Sequence, residues 1–255
     1  MHRRLTAIDA FLDAGPRASA DVEEVGPFTL FVSRKPWPYY ARPRHGEAHE
    51  FTAADVAAVR ARQRELRVPQ HFAWVHEIAP SLLDAMPLNV IEVPLLILDE
   101  PPPAPDRPIR FLDADDPVLR AALGVEQVGF SAPGTGLGRQ TSVDRDTAPV
   151  AAAMVTAVRE RLQAGTSLTA VAEDETGPIA VGTLRPLGAV AEIIAVATLP
   201  ALRKQGLAAA VTAALVHRAL EDGIQTVFLS AADDDVARVY ERLGFVRAAT
   251  ACFVQ

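Results

Sequence analysis

The chain has 255 residues, of which 49% are hydrophobic and 22% are charged, so it can bury a sizeable core. Its formal net charge of -7 argues against broad nucleic-acid binding or attachment to an anionic membrane, since both favour a basic surface. One cysteine, Cys252, excludes an internal disulfide, and the first residues lack the apolar core of a signal peptide, so we expect a cytoplasmic protein.

The first part of the chain predicts a mixture of strands and helices. Thr52 is a suitable N-cap for a helix that continues to about Leu66, because its hydroxyl can accept from a free amide of the first turn. Runs rich in apolar residues predict strands on both sides of this helix. The predicted strands lie at 28–33, 71–78 and 90–98, and a second, short helix lies at 81–86.

A proline-rich stretch at 101–108 is the predicted domain boundary, because proline cannot donate ladder hydrogen bonds and favours extended backbone. We expect domains at 1–105 and 106–255. Both mix strands and helices, which predicts an α+β or α/β class with a mixed sheet. The predicted elements of the second half are strands at 109–112, 168–173, 179–185, 191–199, 225–230 and 245–254, helices at 115–123, 147–164, 206–222 and 233–243, and a loop at 131–146.

One short segment joins the strand predicted at 191–199 to the helix predicted at 206–222. A glycine there lets a phosphate approach the backbone, and the free amides and positive dipole end of the helix attract an anion. Two basic residues suit a diphosphate, although an ordinary strand-to-helix turn with a basic rim is the alternative. The residues are Arg203, Lys204, Gln205, Gly206, Leu207 and Ala208.

Glu192 lies on the predicted strand 191–199, whose apolar character on both faces predicts a central position in the sheet. Regular alternation would place Glu192, Ile194, Val196 and Thr198 on one face. Burial would raise the pKa of the Glu192 carboxyl toward the range useful for a general base. A carboxylate in water at the strand end is the open alternative.

The helix predicted at 233–243 presents Tyr240 on its apolar face. Asp233 is a suitable N-cap, and Gly244 suits the C-terminal end. A tyrosine packed in the core is one interpretation. The other is a hydroxyl that donates a proton at the reactive end of a cofactor.

The segments from Arg203 to Ala208 and from Tyr240 to Phe245 resemble, in order and spacing, two motifs of the GNAT superfamily of acyl-CoA-dependent N-acyltransferases. Those motifs are R/Q-x-x-G-x-G/A and Y-x-x-x-G-F. The resemblance covers about residues 106–255 and implies a GNAT fold there, with acetyl-CoA in the cleft between the fourth and fifth strands of that fold.

The resemblance also implies how the cofactor is held. The amides from Arg203 to Ala208 would bind the diphosphate, and the backbone of Val196, Ala197 and Thr198 would pair with the pantetheine arm. Asp233 stands where the family often has an asparagine near the pantetheine, so an amide donor would be lost there.

The resemblance further implies catalytic roles. Tyr240 matches the tyrosine that protonates the leaving thiolate, and Glu192 matches the segment that carries the general base in the histone-acetyltransferase branch. The expected reaction is direct transfer of an acetyl group to a primary amine of a small molecule or peptide, without a metal. A non-catalytic acyl-CoA sensor and an interaction module that holds another anion are the alternatives.

The first half looks similar to the amino-terminal lobes of some actinobacterial acetyltransferases and is a candidate degenerate copy of the same fold. It carries no R-x-x-G-x-G/A loop, so we expect one cofactor site per chain. The lobe would serve as support, substrate wall or oligomer surface, with a homodimer left open. The glycines at 134, 136 and 138 do not meet the spacing of a dinucleotide loop, and a mobile loop is expected there.

Overall fold

The computed structural model describes residues 2–255, which fold into two compact units. The first unit contains the residues up to Leu95 and the C-terminal segment Ala248–Gln255, and the second contains Leu96–Arg247. The strands Ile91–Leu98 and Phe245–Val254 therefore contribute residues to both units. The predicted functional division at residues 105 and 106 stays a prediction.

The first unit combines antiparallel strands with three helices. Strand β2 pairs antiparallel with β1 and β3, and residues 251–254 pair antiparallel with β4. Its core is rich in aromatic residues, among them Phe28, Phe72 and Trp74. The elements are α1 (His2–Arg17), β1 (Ala20–Val25), β2 (Phe28–Ser33), β3 (Ala41–Pro43), α2 (Ala53–Leu66), β4 (Phe72–Val75), α3 (Ser81–Ala85) and β5 (Ile91–Leu98).

One arginine is buried in the first unit. The side chain of Arg42 is 1% exposed, and its guanidinium forms an ion pair with the Asp9 carboxylate and donates to the Asp9 carbonyl at 3.0 Å. His45 Nδ1 lies 2.5 Å from the second carboxylate oxygen of Asp9. The charge of Arg42 is therefore compensated inside the unit, as a buried charge requires.

The second unit is built on strands in the order β6, β7, β8, β9 and β10, with antiparallel pairing from β6 to β9 and parallel pairing of β9 with β10. A short 3₁₀ turn, Pro200–Leu202, follows β9. The elements are β6 (Arg110–Phe111), α4 (Leu119–Ser131), α5 (Ser142–Thr147), α6 (Ala152–Gln163), β7 (Leu168–Asp174), β8 (Gly177–Leu187), β9 (Val190–Thr198), α7 (Leu207–Glu221), β10 (Thr226–Ser230), α8 (Asp234–Glu241) and β11 (Phe245–Val254).

Helices cover both faces of the sheet of the second unit, and glycines allow the close approach. A Cβ on Gly129 of α4 would lie 2.8 Å from the Cβ of Ala197 on β9. A Cβ on Gly182 of β8 would lie 2.8 Å from Val211 of α7. Because Ala197 pairs with Val181, the neighbour of Gly182, α4 and α7 pack on opposite faces.

The predicted α+β class with a mixed sheet is confirmed, and several predicted bounds agree with the structure. Strands β2 and β11 have the predicted ends, and Thr52 caps α2 by accepting from the amide of Asp55 at 3.3 Å. The sequence prediction omitted α1, β1 and β3, and α5 lies partly inside the predicted loop 131–146. The strand predicted at 71–78 is limited to β4.

The helix predicted at 115–123 is wrong in both bounds, because α4 spans Leu119–Ser131. Gly124 and Gly129 lie inside this helix although glycine usually weakens one. A Cβ on Gly124 would lie 2.5 Å from the carbonyl oxygen of Arg145, so close packing against α5 requires a glycine there. The glycines are packing positions and do not end the helix.

Candidate active site

Strand β9 carries a β-bulge at the level of α4. Ile194 pairs with Thr183 and Ala197 pairs with Val181, so two residues of β9 lie opposite Gly182 alone. The first of the two, Ala195, has a φ of 56°, a left-handed conformation that is uncommon outside glycine.

The bulge reverses the side-chain alternation of β9. Val196 faces α7, because its Cγ2 lies 3.3 Å from the Cβ position of Gly182. Glu192 pairs with Arg185, which shares a face of β8 with Val181, so Glu192 and Ala197 face α4. The prediction that Glu192, Val196 and Thr198 share one face is therefore wrong.

Strands β9 and β10 pair over only part of their length. Val190–Glu192 pairs in parallel with Thr226–Phe228, whereas β9 continues to Thr198. Beyond Glu192 the edge of β9 that faces β10 is therefore not paired with it, which leaves backbone groups of Val196, Ala197 and Thr198 for another partner. The hydroxyl of Thr198 is also buried without a hydrogen-bond partner in the part of the chain that the structure describes.

The predicted anion loop presents free backbone amides. Lys204 and Gly206 have φ values of 62° and 77°, and Lys204, Gln205 and Gly206 are exposed. The first helical hydrogen bond of α7 is donated by Ala210 to the carbonyl of Gly206 at 2.9 Å. The amides from Lys204 to Ala209 donate no hydrogen bond within residues 2–255, so they are available to an anion at the positive end of the helix dipole.

The side chain of Arg203 is committed to a structural role that the sequence did not reveal. Its guanidinium donates to the carbonyls of Gly129 at 2.9 Å, Ala132 at 2.6 Å and Gly136 at 3.2 Å. Gly138 also donates to the carbonyl of Pro200 at 3.0 Å. The hydrogen bonds of Arg203 therefore hold the C-terminal end of α4 and the loop that contains Gly136 against the segment that precedes α7.

A second arginine lies beside the anion loop, and no pattern in the sequence predicts it. The position that a Cβ would take on Gly206 lies 3.8 Å from Nη2 of Arg107, which comes from the proline-rich stretch. The guanidinium also contacts the neighbouring Asp106, with 3.0 Å between Nε and Oδ1. Arg107 is 33% exposed and thus reaches solvent beside the loop.

Glu192 lies at the point where β9 and β10 stop pairing. Its carboxylate is 15% exposed and lies 3.3 Å from the guanidinium of Arg185. Burial raises the pKa of the Glu192 carboxyl, and the charge of Arg185 opposes this shift. The structure thus gives Glu192 the direction of pKa shift that a general base at neutral pH needs.

Glu126 is a further carboxylate that the sequence analysis did not single out. It precedes Gly129 by three residues, so it lies on the side of α4 that approaches Ala197. It makes no hydrogen bond or ion pair within the described residues, and burial raises its pKa to about 7. Glu126 lies beyond the helix predicted at 115–123, and its burial depends on tertiary packing that the sequence does not show.

Tyr240 lies on the buried face of α8, with its ring centroid 6.1 Å from that of Phe245. Its hydroxyl makes no hydrogen bond within residues 2–255, and burial raises its pKa to about 12. The hydroxyl is therefore protonated at neutral pH and has a hydrogen to donate.

Both ends of α8 follow from local chemistry. The Asp233 side chain caps the helix by accepting from the amide of Val236 at 2.8 Å, as predicted. Gly244 has a φ of 85°, and a Cβ there would lie 2.0 Å from the carbonyl oxygen of Glu100. Gly244 is thus required both for its conformation and for this close approach.

Among the described residues there is no group of three or more His, Cys, Asp or Glu arranged to hold a metal. No helix within residues 2–255 combines the length and hydropathy needed to cross a bilayer. A pocket in the second unit lies between α4 and α5 and so on a different side of α4 from the contact with Ala197. Its lining includes Gln127, Ser131, Gln140 and Asp144.

The second unit thus combines unbonded amides at the start of α7 with a bulged β9 that pairs with β10 over only part of its length. Residues 139–245 match the model of the Acetyltransferase (GNAT) family and form a domain of that family. The matched segment contains both motifs on which the resemblance rests, and the match supports acyl transfer in general. No curated protein shows significant similarity to the chain.

Solved structures extend the fold likeness to nearly the whole chain. A GCN5-related N-acetyltransferase from Kribbella flavida is 21% identical, with a TM-score of 0.70 over 98% of this chain and 94% of its own. One from Sphaerobacter thermophilus is 17% identical, with a TM-score of 0.58 over 91% and 81%. A GCN5-related N-acetyltransferase-like protein from Streptococcus suis is 12% identical, with a TM-score of 0.55 over 99% and 98%. The predicted GNAT fold is confirmed.

Proposed function

We propose that this protein transfers an acetyl group from acetyl-CoA to a primary amine. One observation carries the proposal: unbonded amides from Lys204 to Ala209 follow, after the 3₁₀ turn Pro200–Leu202, a strand that is not paired with β10 beyond Glu192. A diphosphate suits the first feature and an extended chain with amide groups suits the second. Acetyl-CoA carries a diphosphate followed by a pantetheine chain with amide groups, and its thioester lies at the far end of that chain.

The backbone provides most of the cofactor site. Amides from Lys204 to Ala208 bind the diphosphate, and Val196, Ala197 and Thr198 extend the sheet by pairing with the pantetheine arm. Arg203 contributes by holding the loop, since its guanidinium already donates to three carbonyls. Asp233 caps α8 and thereby fixes the helix that carries Tyr240.

In the proposed reaction a neutral amine attacks the thioester carbonyl, so that a C–N bond forms and the C–S bond breaks. An alkyl amine is mostly protonated at neutral pH, because its pKa is near 10.4. Glu192 takes a proton from the amine, directly or through water. Tyr240 donates a proton to the departing sulfur, a role consistent with a hydroxyl that remains protonated and has no other partner.

The acceptor is an amine of a small molecule or peptide. The net charge of -7 favours a cationic acceptor over an anionic one. Neither a metal nor a nucleic acid enters the proposed reaction, and a homodimer is compatible with it.

A thiol-release assay with acetyl-CoA across aminoglycosides, polyamines, amino acids and peptides tests the proposal. Turnover with one amine class, lost in Glu192→Gln, is the expected result. Thermal stabilisation by acetyl-CoA is measured in parallel, because it separates binding from catalysis. Stabilisation without acetylation of any amine would indicate a sensor, and equal stabilisation by phosphate or nucleotides would indicate a module for another anion.

A further inference from the structure

The proline-rich stretch brings a guanidinium to the start of α7. Near the other end of this helix, His217 Nε2 donates to the carbonyl of Pro102 at 3.0 Å, and the guanidinium of Arg218 lies 5.7 Å from the centre of the Phe111 ring. Between these two anchors the chain reaches Gly206, where Nη2 of Arg107 lies 3.8 Å from the Cβ position. The segment from Pro102 to Phe111 thus extends along α7 to its first residues.

This position is electrostatically unfavourable for an arginine in the absence of an anion. The amides from Lys204 to Ala209 and the helix dipole make the start of α7 positive, and the side chain of Lys204 is exposed beside them. Asp106 compensates Arg107 in part, through contacts of 3.0 Å from Nε and 3.5 Å from Nη2. The Nη1 group makes no hydrogen bond within the described residues.

We infer that Arg107 is a cofactor-binding residue that contacts the diphosphate of coenzyme A. This inference rests on the proposed function and adds a residue from outside the matched family segment of 139–245. Arg203 cannot supply this charge, because its guanidinium is committed to backbone carbonyls. Pro105 and Pro108 flank Arg107 and restrict its backbone, which reduces the entropy lost when a ligand orders the guanidinium.

Calorimetric titration of Arg107→Gln with coenzyme A, 3′-dephospho-coenzyme A and pantetheine tests the inference without relying on activity. We expect the Kd of the first two ligands to rise about tenfold, as for loss of one charge-assisted hydrogen bond at a partly exposed site. Pantetheine binding should not change, because it lacks the diphosphate. Arg107→Lys should restore part of the affinity, because lysine keeps the positive charge.

Two further variants sharpen the test. Arg34→Gln removes an equally charged, exposed arginine of the first unit, where it pairs with Asp21 at 2.9 Å, and should leave every Kd unchanged. Asp106→Asn removes the competing carboxylate and should tighten coenzyme A binding about twofold.

An unchanged Kd in Arg107→Gln overturns the inference, and so does an equal loss in Arg34→Gln. A loss confined to coenzyme A, absent with the 3′-dephospho form, assigns Arg107 to the 3′-phosphate and overturns its assignment to the diphosphate. Failure of the unaltered protein to bind coenzyme A at all would instead overturn the proposed function.

Discussion

The cluster around Arg42 in the first unit and the start of α7 in the second differ in whether their charge is compensated within the described chain. In the first unit, the buried Arg42 finds both the carboxylate and the carbonyl of Asp9. In the second, Glu126 is partly buried without a partner, and the amides at the start of α7 donate to no group in the described chain. Uncompensated groups cost stability and tend to persist where a ligand or reaction uses them. The difference favours a structural role for the Arg42–Asp9 cluster and supports the proposed anion site at the start of α7.

Glu192→Gln should have the largest effect on activity. Loss of the base should lower kcat about 1,000-fold, since general-base catalysis contributes about 10²- to 10⁴-fold. Steady-state kinetics with the amine found in the screen measures this change. The exposed turn residue Glu175 provides a matched control, because Glu175→Gln leaves β8 and β9 untouched. Near-normal turnover in Glu192→Gln would remove Glu192 from the mechanism.

Asp9→Asn should have the largest effect on stability. It leaves the Arg42 guanidinium buried without its charge partner, so the free energy of unfolding of the first unit should fall by about 3 kcal/mol. Trp37 and Trp74 both belong to this unit, so tryptophan fluorescence during urea unfolding reports on it.

Two controls separate the structural from the functional interpretation of Asp9. Asp21→Asn breaks an exposed pair with Arg34 and should cost less than about 1 kcal/mol. Turnover of folded Asp9→Asn at 25 °C should match that of the unaltered protein. A stable but inactive variant would contradict the structural role of the cluster.

Glu126→Gln should change the pH dependence of stability. Because the pKa of Glu126 is raised to about 7 in the folded chain, the unfolded chain binds fewer protons between the unfolded and folded pKa values. Stability from this group is therefore fully present below about pH 4.5 and lost as the pH rises through 7. The loss amounts to about 2 to 3 kcal/mol.

Glutamine does not titrate, so the variant should gain stability relative to the unaltered protein as the pH is raised from 5 to 8. Urea unfolding followed by circular dichroism at several pH values measures the difference, since the second unit contains no tryptophan. A difference that does not vary with pH would show that Glu126 is not desolvated in the fold.

Tyr240→Phe should have the smallest effect of the four substitutions considered, which are those at Glu192, Asp9, Glu126 and Tyr240. Without the hydroxyl, kcat should fall about tenfold while the KM for acetyl-CoA stays nearly constant, because thiolate is already a reasonable leaving group. Tyr39→Phe is the matched control, since it removes a hydroxyl of the first unit that contacts Ser19 at 2.7 Å. Unchanged turnover in Tyr240→Phe would overturn the proposed acid.

Much of the second unit could be predicted because its signals are local. The bounds of β11, the Asp233 cap and the Gly244 stop depend on neighbouring residues, and each lies where the sequence predicts it. The spacing of the two motifs likewise identifies the loop around Gly206 from the sequence alone. Such features depend on period and turn chemistry, which a single sequence carries.

The remaining features depend on contacts between distant segments. The bulge at Ala195 has no glycine or proline to mark it, and it changes which face Val196 occupies. The helix predicted at 115–123 ends too early, because the contact of Gly129 with Ala197 is not visible in the sequence. Arg107 and Glu126 gain their significance only from what surrounds them in the fold.

The path of the last strand has a practical consequence for anyone who dissects this protein. Residues 251–254 supply the antiparallel neighbour of β4, although they come last in the chain. A fragment that ends after the prolines would lack residues 251–254 and would expose the unpaired edge of β4. The complementary fragment would carry residues 251–254 without their partner strand, which favours aggregation. A fragment designed to express the first unit alone should therefore include Ala248–Gln255, joined to its C-terminal end by a linker.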